Sequence, residues 1–332
     1  MLTILIILLV VFQSSTLTQE NTFSGYFNHI KSIPLPEYPL IGQVTFLDVN
    51  EYGELLITDR LLGEVFLFDS RGSHSTTLSP EKCGPGTFWH PSKAQYHPNG
   101  TIFVINSGPP WGIYFSADGA CLEILELHFL APLHIAFDDN GNIFGYYIAY
   151  DGNYIKKMNP EGEEKKRFGI FPDGFSNLIS RFEGGGLLVS GETIYHMNVH
   201  SPEVHLYSLD GNHIKTIKNR PSYFRGVDKD LPAFGGDPGR FLNEVGNILK
   251  NRTIVYSLHS LDEAKLLVQY KHNNMYGIEV LHPDTGVVHS KPILADRPFF
   301  AARNGLLYSV NAHEPDDKGI LQNPVIDVYE FQ

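Results

Sequence analysis

From residue 44 onward the chain alternates short apolar runs with glycine-centred turns. The clearest unit is Val44-Thr-Phe-Leu-Asp-Val49, a turn ending at Gly53, then Leu55-Leu-Ile-Thr-Asp59, then Glu64-Val-Phe-Leu-Phe68 and a second turn ending at Gly72. Period-two alternation bounded by turn residues predicts an antiparallel meander. The same grammar recurs through Gly100 and Gly119, through Gly141 and Gly162, through Gly185 and Gly211, from Ile254 to Gly286, and from Phe299 through Gly305 to Phe331. The second-turn glycines Gly72, Gly119, Gly162 and Gly211 are 43–49 residues apart, and Gly286 follows after 75. Repeats of this length with several strands each predict propeller blades; a helical solenoid would show a 3.6-residue period. Blades stack on both faces, which accounts for runs that are continuously apolar.

Six units are present, and the sixth lacks a fourth strand after Phe331. The segment Asn28-His-Ile-Lys-Ser-Ile33 precedes the first unit and is predicted to serve as the outer strand of the last blade, closing the ring and removing an exposed edge. The expectation is therefore an all-β, six-bladed β-propeller over residues 20–332, a single domain with an insertion at about 212–251. That insertion holds Arg220-Pro-Ser-Tyr-Phe-Arg225 and the Gly/Pro-rich stretch Phe234-Gly-Gly-Asp-Pro-Gly-Arg-Phe241.

Ahead of the repeats, Leu2–Phe12 is apolar and Gln13–Thr16 is polar. A run this short falls below the roughly 20 residues needed to span a bilayer. Residues 1–19 read as a secretory signal segment, with an uncleaved tether as the alternative. This predicts a periplasmic, cell-envelope or secreted protein. Hydrophobic residues at 42% and charged residues at 19% exclude a disordered chain. A formal charge of −12, with no Lys/Arg stripe, argues against nucleic acid as a partner. The chain has two cysteines, Cys83 and Cys121, which can pair in an oxidising compartment. Asn99 and Asn251 lie in glycosylation sequons.

The stretch Gly84-Pro-Gly-Thr-Phe88-Trp89-His90-Pro91 resembles the interblade link of NHL-repeat propellers, and Gly236-Asp-Pro-Gly239-Arg-Phe241 is a weaker echo. The chain after about residue 25 thus resembles a bacterial six-bladed propeller of the NHL-like kind. The resemblance implies a ligand at one mouth of the central channel, held by loops and the ends of the inner strands.

Catalytic spacing is missing from the sequence. No H-E-x-x-H, H-x-H or C-x-x-C pattern occurs. His90, His134, His196, His205 and His259 read as scattered among different blades. Some six-bladed relatives are calcium-dependent lactonases or esterases with axial carboxylates and amides. The inner-strand openings here are Gln43, Lys93, His134, Asn177 and Phe299, none acidic. Asp138 and Asp139 fall in a predicted turn, as does Gly184-Gly-Gly186. The axial-histidine pattern of a related amidating lyase is not matched. Trp89, Trp111, Tyr146, Tyr147 and Tyr150 read as interblade packing ahead of ligand stacking.

The expected function is a non-enzymatic binding or scaffolding propeller, without a cofactor, recognising a peptide, a glycan or a partner protein. The expected binding residues are Trp89, His90, Lys93, His134, Arg225 and Arg240, cations and aromatics on an acidic body. The alternative is a metal-dependent hydrolase or lyase with calcium or zinc gathered on the axis.

Overall fold

The computed structural model describes residues 23–84, 89–109, 112–125, 132–147, 154–169, 184–219, 221–226, 237–249, 252–262, 264–287, 293–312 and 322–332. Residues 1–19, with the predicted signal segment, lie outside these, as do Trp111, Tyr150, Asn177 and Asn251.

The chain opens with β1 (Phe27–Pro34) and then builds antiparallel four-stranded sheets in sequence order. Blade one is β2 (Val44–Val49), β3 (Leu55–Asp59), β4 (Glu64–Phe68) and β5 (His74–Leu78). Blade two is β6 (Pro91–Tyr96), β7 (Ile102–Asn106), β8 (Gly112–Phe115) and β9 (Cys121–Leu125). Blade three is β10 (His134–Phe137), β11 (Ile143–Tyr146), β12 (Ile155–Met158) and β13 (Glu164–Phe168). Blade four is β14 (Gly186–Ser190), β15 (Thr193–Met197), β16 (Val204–Ser208) and β17 (His213–Ile217).

Helix α1 (Pro238–Leu249) follows in the segment that breaks the repeat. Its first residue is a proline, which the first helical turn tolerates because that N–H has no intrahelical partner. Blade five is β18 (Thr253–Asp262), β19 (Lys265–His272) and β20 (Met275–His282), with an outer edge divided between β21 (Gly286–Val287) and β22 (Ile293–Ala295). Blade six is β23 (Phe299–Arg303), β24 (Leu306–Asn311) and β25 (Val325–Phe331), completed on the outside by β1. No helix among the described residues is long and apolar enough to cross a membrane.

The molecule is thus an all-β, six-bladed propeller closed by its N-terminal strand. β1 pairs with β25 over Phe27↔Phe331 to Pro34↔Val325. The insertion begins later than the sequence indicates, because His213–Ile217 completes blade four before the repeat breaks.

The core is a set of apolar clusters between neighbouring blades. Leu55 and Ile57 of blade one pack with Ile326 and Val328 of blade six, and Leu56 and Val65 pack with Ile102 and Val104 of blade two. Tyr146 and Tyr154 are fully buried between blades three and four, and Tyr147 is buried between blades two and three, as the packing reading of Tyr146 and Tyr147 expects. Cys83 and Cys121 form a disulfide with Cα atoms 5.1 Å apart, fastening the entry to blade two onto its outer strand. Closing a 38-residue separation of this kind lowers the entropy of the unfolded chain by the equivalent of about 4 kcal/mol.

The Gly184-Gly-Gly186 run is not a hairpin turn. It leads the chain into β14 against β18, where a Cβ on Gly186 would lie 2.4 Å from Leu258 Cβ and one on Gly184, at φ +142°, 2.5 Å from the Val255 carbonyl oxygen. The glycines are required by close approach of two inner strands rather than by a turn.

Candidate functional site: the axial channel

The six inner strands β2, β6, β10, β14, β18 and β23 surround a cavity of about 1090 Å³. Along each strand, successive side chains alternate between the neighbouring blade and the axis. In β2, for example, Leu47 and Val49 are buried between blades while Asp48 lines the channel. All inner strands run the same way, so the cavity has an entry end, where the chain enters each inner strand, and an exit end, where it turns into the second strand.

At the entry end, Lys93 and His134 meet. The Lys93 ammonium donates to the Leu133 carbonyl oxygen and to His134 Nδ1 at 3.2 Å, and lies 5.4 Å from the Phe46 ring centroid. His134 Nε2 is 2.9 Å from the Gly184 carbonyl oxygen. An ammonium can only donate and a carbonyl can only accept, so the imidazole is the neutral Nε2–H tautomer. Burial, reinforced by the adjacent Lys93 charge, pushes the His134 pKa down to about 3.

Across the cavity, His259 Nε2 lies 2.9 Å from Ser257 Oγ and 3.2 Å from the Phe299 carbonyl oxygen. Burial lowers its pKa to about 4. Behind it, fully buried Gln269 clamps Phe299: its amide donates to the Phe299 carbonyl at 2.7 Å, and its carbonyl accepts from the Phe299 N–H at 2.8 Å.

At the exit end, Asp48 accepts from the Tyr96 backbone N–H at 2.8 Å, linking blades one and two. Burial pushes its carboxyl up to about 6, against the opposing pull of that hydrogen bond and of the Arg303 charge. Glu51, Glu54, Asp139 and Arg303 also line this end. The channel is therefore polarised, with an ammonium and neutral imidazoles at one end and, at the other, carboxyl groups beside the Arg303 guanidinium.

Of the six residues expected to bind, the structure brings Lys93 and His134 together. Trp89 packs edge-on against Phe115, with centroids 5.8 Å apart, and does not line the channel. His90 is tied through its backbone, its N–H donating to Asn106 Oδ1 at 2.5 Å. The Arg225 backbone pairs with Thr253, and its side chain is exposed. Arg240 stands exposed on α1, 2.9 Å from Glu244 Oε1.

The sequence reading passed over Asp48 and Gln269. The signal for Asp48 was a carboxylate set inside the apolar run Phe46-Leu47-Asp48-Val49. The histidines are also less scattered than they read: His196 and His205 share blade four and lie directly opposite each other on β15 and β16. A hairpin creates that adjacency without any short-range spacing motif.

The alternative reading requires axial metal ligands. His134 already uses both ring nitrogens within the fold. Among the described residues no group of three or more His, Cys, Asp or Glu is placed to hold a metal ion.

No protein-family model matches the chain, and no curated protein matches it. Solved structures resemble it at low sequence identity. A Bacteroides fragilis protein whose name assigns it to export is 12% identical with a TM-score of 0.64, covering 94% of this chain and 97% of its own. A DUF4221 member from Bacteroides vulgatus is 11% identical with a TM-score of 0.63, covering 92% and 99%. A catalytically inactive histidine-to-alanine variant of virginiamycin B lyase from Staphylococcus aureus, with quinupristin, is 12% identical with a TM-score of 0.53, covering 88% and 82%. At such identities the likeness is one of fold.

Proposed function

We propose that this protein is an exported binding propeller of the NHL-like kind that takes a peptide-type ligand into its axial channel. The observation that carries this reading is the polarised cavity, with Lys93 at the entry end and Asp48, Glu51 and Glu54 at the exit end. A short peptide offers a carboxylate to the first and an ammonium to the second. An inner strand of five or six residues is roughly 17–20 Å long, room for a few extended residues. Charged ends give orientation, while channel-facing Phe46, Tyr256 and Phe300 supply apolar contact.

Export is supported by the apolar N-terminal segment, by the Cys83–Cys121 disulfide, and by the name of the Bacteroides fragilis structural relative. Phe46 and Tyr256 on the axis take the place in this reading that Trp89, Arg225 and Arg240 held in the sequence expectation.

The test is a thermal-shift screen of free, amidated and acetylated peptides against the wild type, Lys93→Met and Asp48→Asn. Ligands with a free carboxylate should lose at least tenfold in affinity in Lys93→Met, and those with a free amine should lose affinity in Asp48→Asn. Hits that bind both variants as they bind the wild type would overturn the channel as the site.

A lyase is the second reading. It is favoured by His134 and His259, neutral imidazoles facing the cavity, together with the lyase among the structural relatives. Turnover of a cyclic peptide or ester substrate, abolished in His259→Ala, would place the protein there instead.

A further inference from the structure

Blade four carries a column of histidines: His196 packs against the Tyr146 and Tyr154 rings at the seam with blade three, and His205 and His213 follow outward. His196 lies opposite His205 in the β15–β16 ladder, and His205 lies opposite Thr216 in the β16–β17 ladder. The His196 and His205 rings are stacked with centroids 6.4 Å apart, and His213 continues the row 6.3 Å beyond His205. His205 Nδ1 is 3.1 Å from Thr216 Oγ1, and His213 Nε2 is 2.9 Å from the same oxygen. Two imidazole nitrogens from adjacent strands therefore converge on one point. Behind them, among the described residues, both ring nitrogens of fully buried His196, and Nε2 of His205, have no hydrogen-bond partner. Buried polar atoms are ordinarily satisfied, so unpartnered nitrogens in such a row need an explanation.

Two other blades serve as internal controls. His29 Nε2 lies 3.1 Å from Ser32 Oγ in blade six, and His74 Nε2 lies 3.0 Å from Thr77 Oγ1 in blade one. In each, as in blade four, the pair sits three residues apart on the outer strand, next to a register shift in its ladder. The histidine–hydroxyl pair by itself is thus a device of the fold. What differs is the residue opposite the hydroxyl: Phe66 in blade one, and Asp327, engaged by Arg297 at 3.2 Å, in blade six. Blade four places His205 there.

We propose that blade four binds a divalent transition-metal ion of the zinc, nickel or copper type on His205 Nδ1 and His213 Nε2, at the point Thr216 Oγ1 now bridges. Imidazole is a ligand these ions share. Metal–nitrogen bonds of about 2.0–2.1 Å require both rings to close in by about 1 Å as the hydroxyl rotates away. His213, exposed on the outer strand, has the freedom to do so. The local charge is permissive: Lys215, on the same strand, is paired with Asp284 at 2.9 Å, and the Glu203 carboxylate acts on His205. Water completes the coordination on the open side.

The test uses the full chain without a histidine tag, titrated with Zn(II), Ni(II) and Cu(II) by calorimetry and by thermal unfolding. The expected result is one ion per chain, copper tightest, and a melting temperature that rises with metal. His213→Gln should bind at least tenfold more weakly while its metal-free melting temperature stays at the wild-type value. His74→Gln, which changes the control pair in blade one, should bind as the wild type does. Absence of saturation below millimolar metal would overturn the site, as would equal affinity in wild type and His213→Gln.

Discussion

At the entry end of the channel, polar side chains are committed to the backbone of the next blade; at the exit end they are mostly held within their own turns. Lys93 reaches from blade two to the Leu133 carbonyl at the start of blade three, His134 reaches from blade three to Gly184 before blade four, and Gln269 grips Phe299 of blade six from blade five. At the exit end, Asn50 bonds Tyr52 and Glu54 within one turn, and Asp138 bonds Asn140 and Asn142 within another. Asp48, His97 and Asn304 are exceptions, reaching the Tyr96 N–H, the Gly141 carbonyl and the Glu51 carbonyl of neighbouring blades. The entry end is thus tied between blades by a belt of Lys93, His134 and Gln269, while the exit end combines turn-internal bonds with fewer, longer links between blades. A substitution at the belt opens a seam between blades, whereas one in a turn stays local.

The largest expected effect comes from acid. His134, His196 and His259 all have pKa values lowered by burial. The unfolded chain takes up protons on these groups below its ordinary pKa of 6.5 and the folded chain does not, so their stabilisation is complete above pH 6.5 and is lost as pH falls towards 4. For His134 and His259 alone the expected loss between pH 7 and pH 4.5 is about 5 kcal/mol, read from urea unfolding at the two pH values. A stability unchanged over that interval would show that the entry-end belt is open to water.

Next comes Gln269→Leu, which leaves the Phe299 N–H and carbonyl without their side-chain partners and should cost about 2–4 kcal/mol in the same assay. His134→Leu removes the bond to the Gly184 carbonyl and should cost roughly 1–3 kcal/mol. A smaller loss than that of an exit-end turn substitution such as Asn50→Ala would reverse the comparison. The smallest change has the opposite sign. The Asp48 pKa is raised in the fold, so its contribution favours folding at low pH and is lost as pH rises from about 4 through about 6. Asp48→Asn keeps an acceptor for the Tyr96 N–H and should stabilise the protein by about 1 kcal/mol at pH 7, with no gain at pH 4.

The strands and the closure by β1 were legible because alternation, turn glycines and an unpaired final strand are properties of the chain read along its length. The belt was not. Lys93 and His134 could be named as inner-strand openings, but nothing local says that one ring bonds the other's ammonium or a glycine carbonyl fifty residues on. Asp48 differs from a turn aspartate only in where it falls within an apolar run. His196 and His205 become neighbours only when the register of the β15–β16 hairpin is fixed. Gly184-Gly-Gly186 shows the limit most plainly: a turn and a close crossing demand the same residue type for different reasons, and only the position of β18 separates them.

The pairing of β1 with β25 also sets an order on biosynthesis. β1 has to wait for β25, some 300 residues later, so blade six cannot form on the ribosome until β25 has emerged. In the interval β1 presents an unpaired edge to the surroundings. A chain that crosses a membrane unfolded would postpone that vulnerable stage to the far side, and cellular factors that shield strand edges are the ones whose loss should lower its yield.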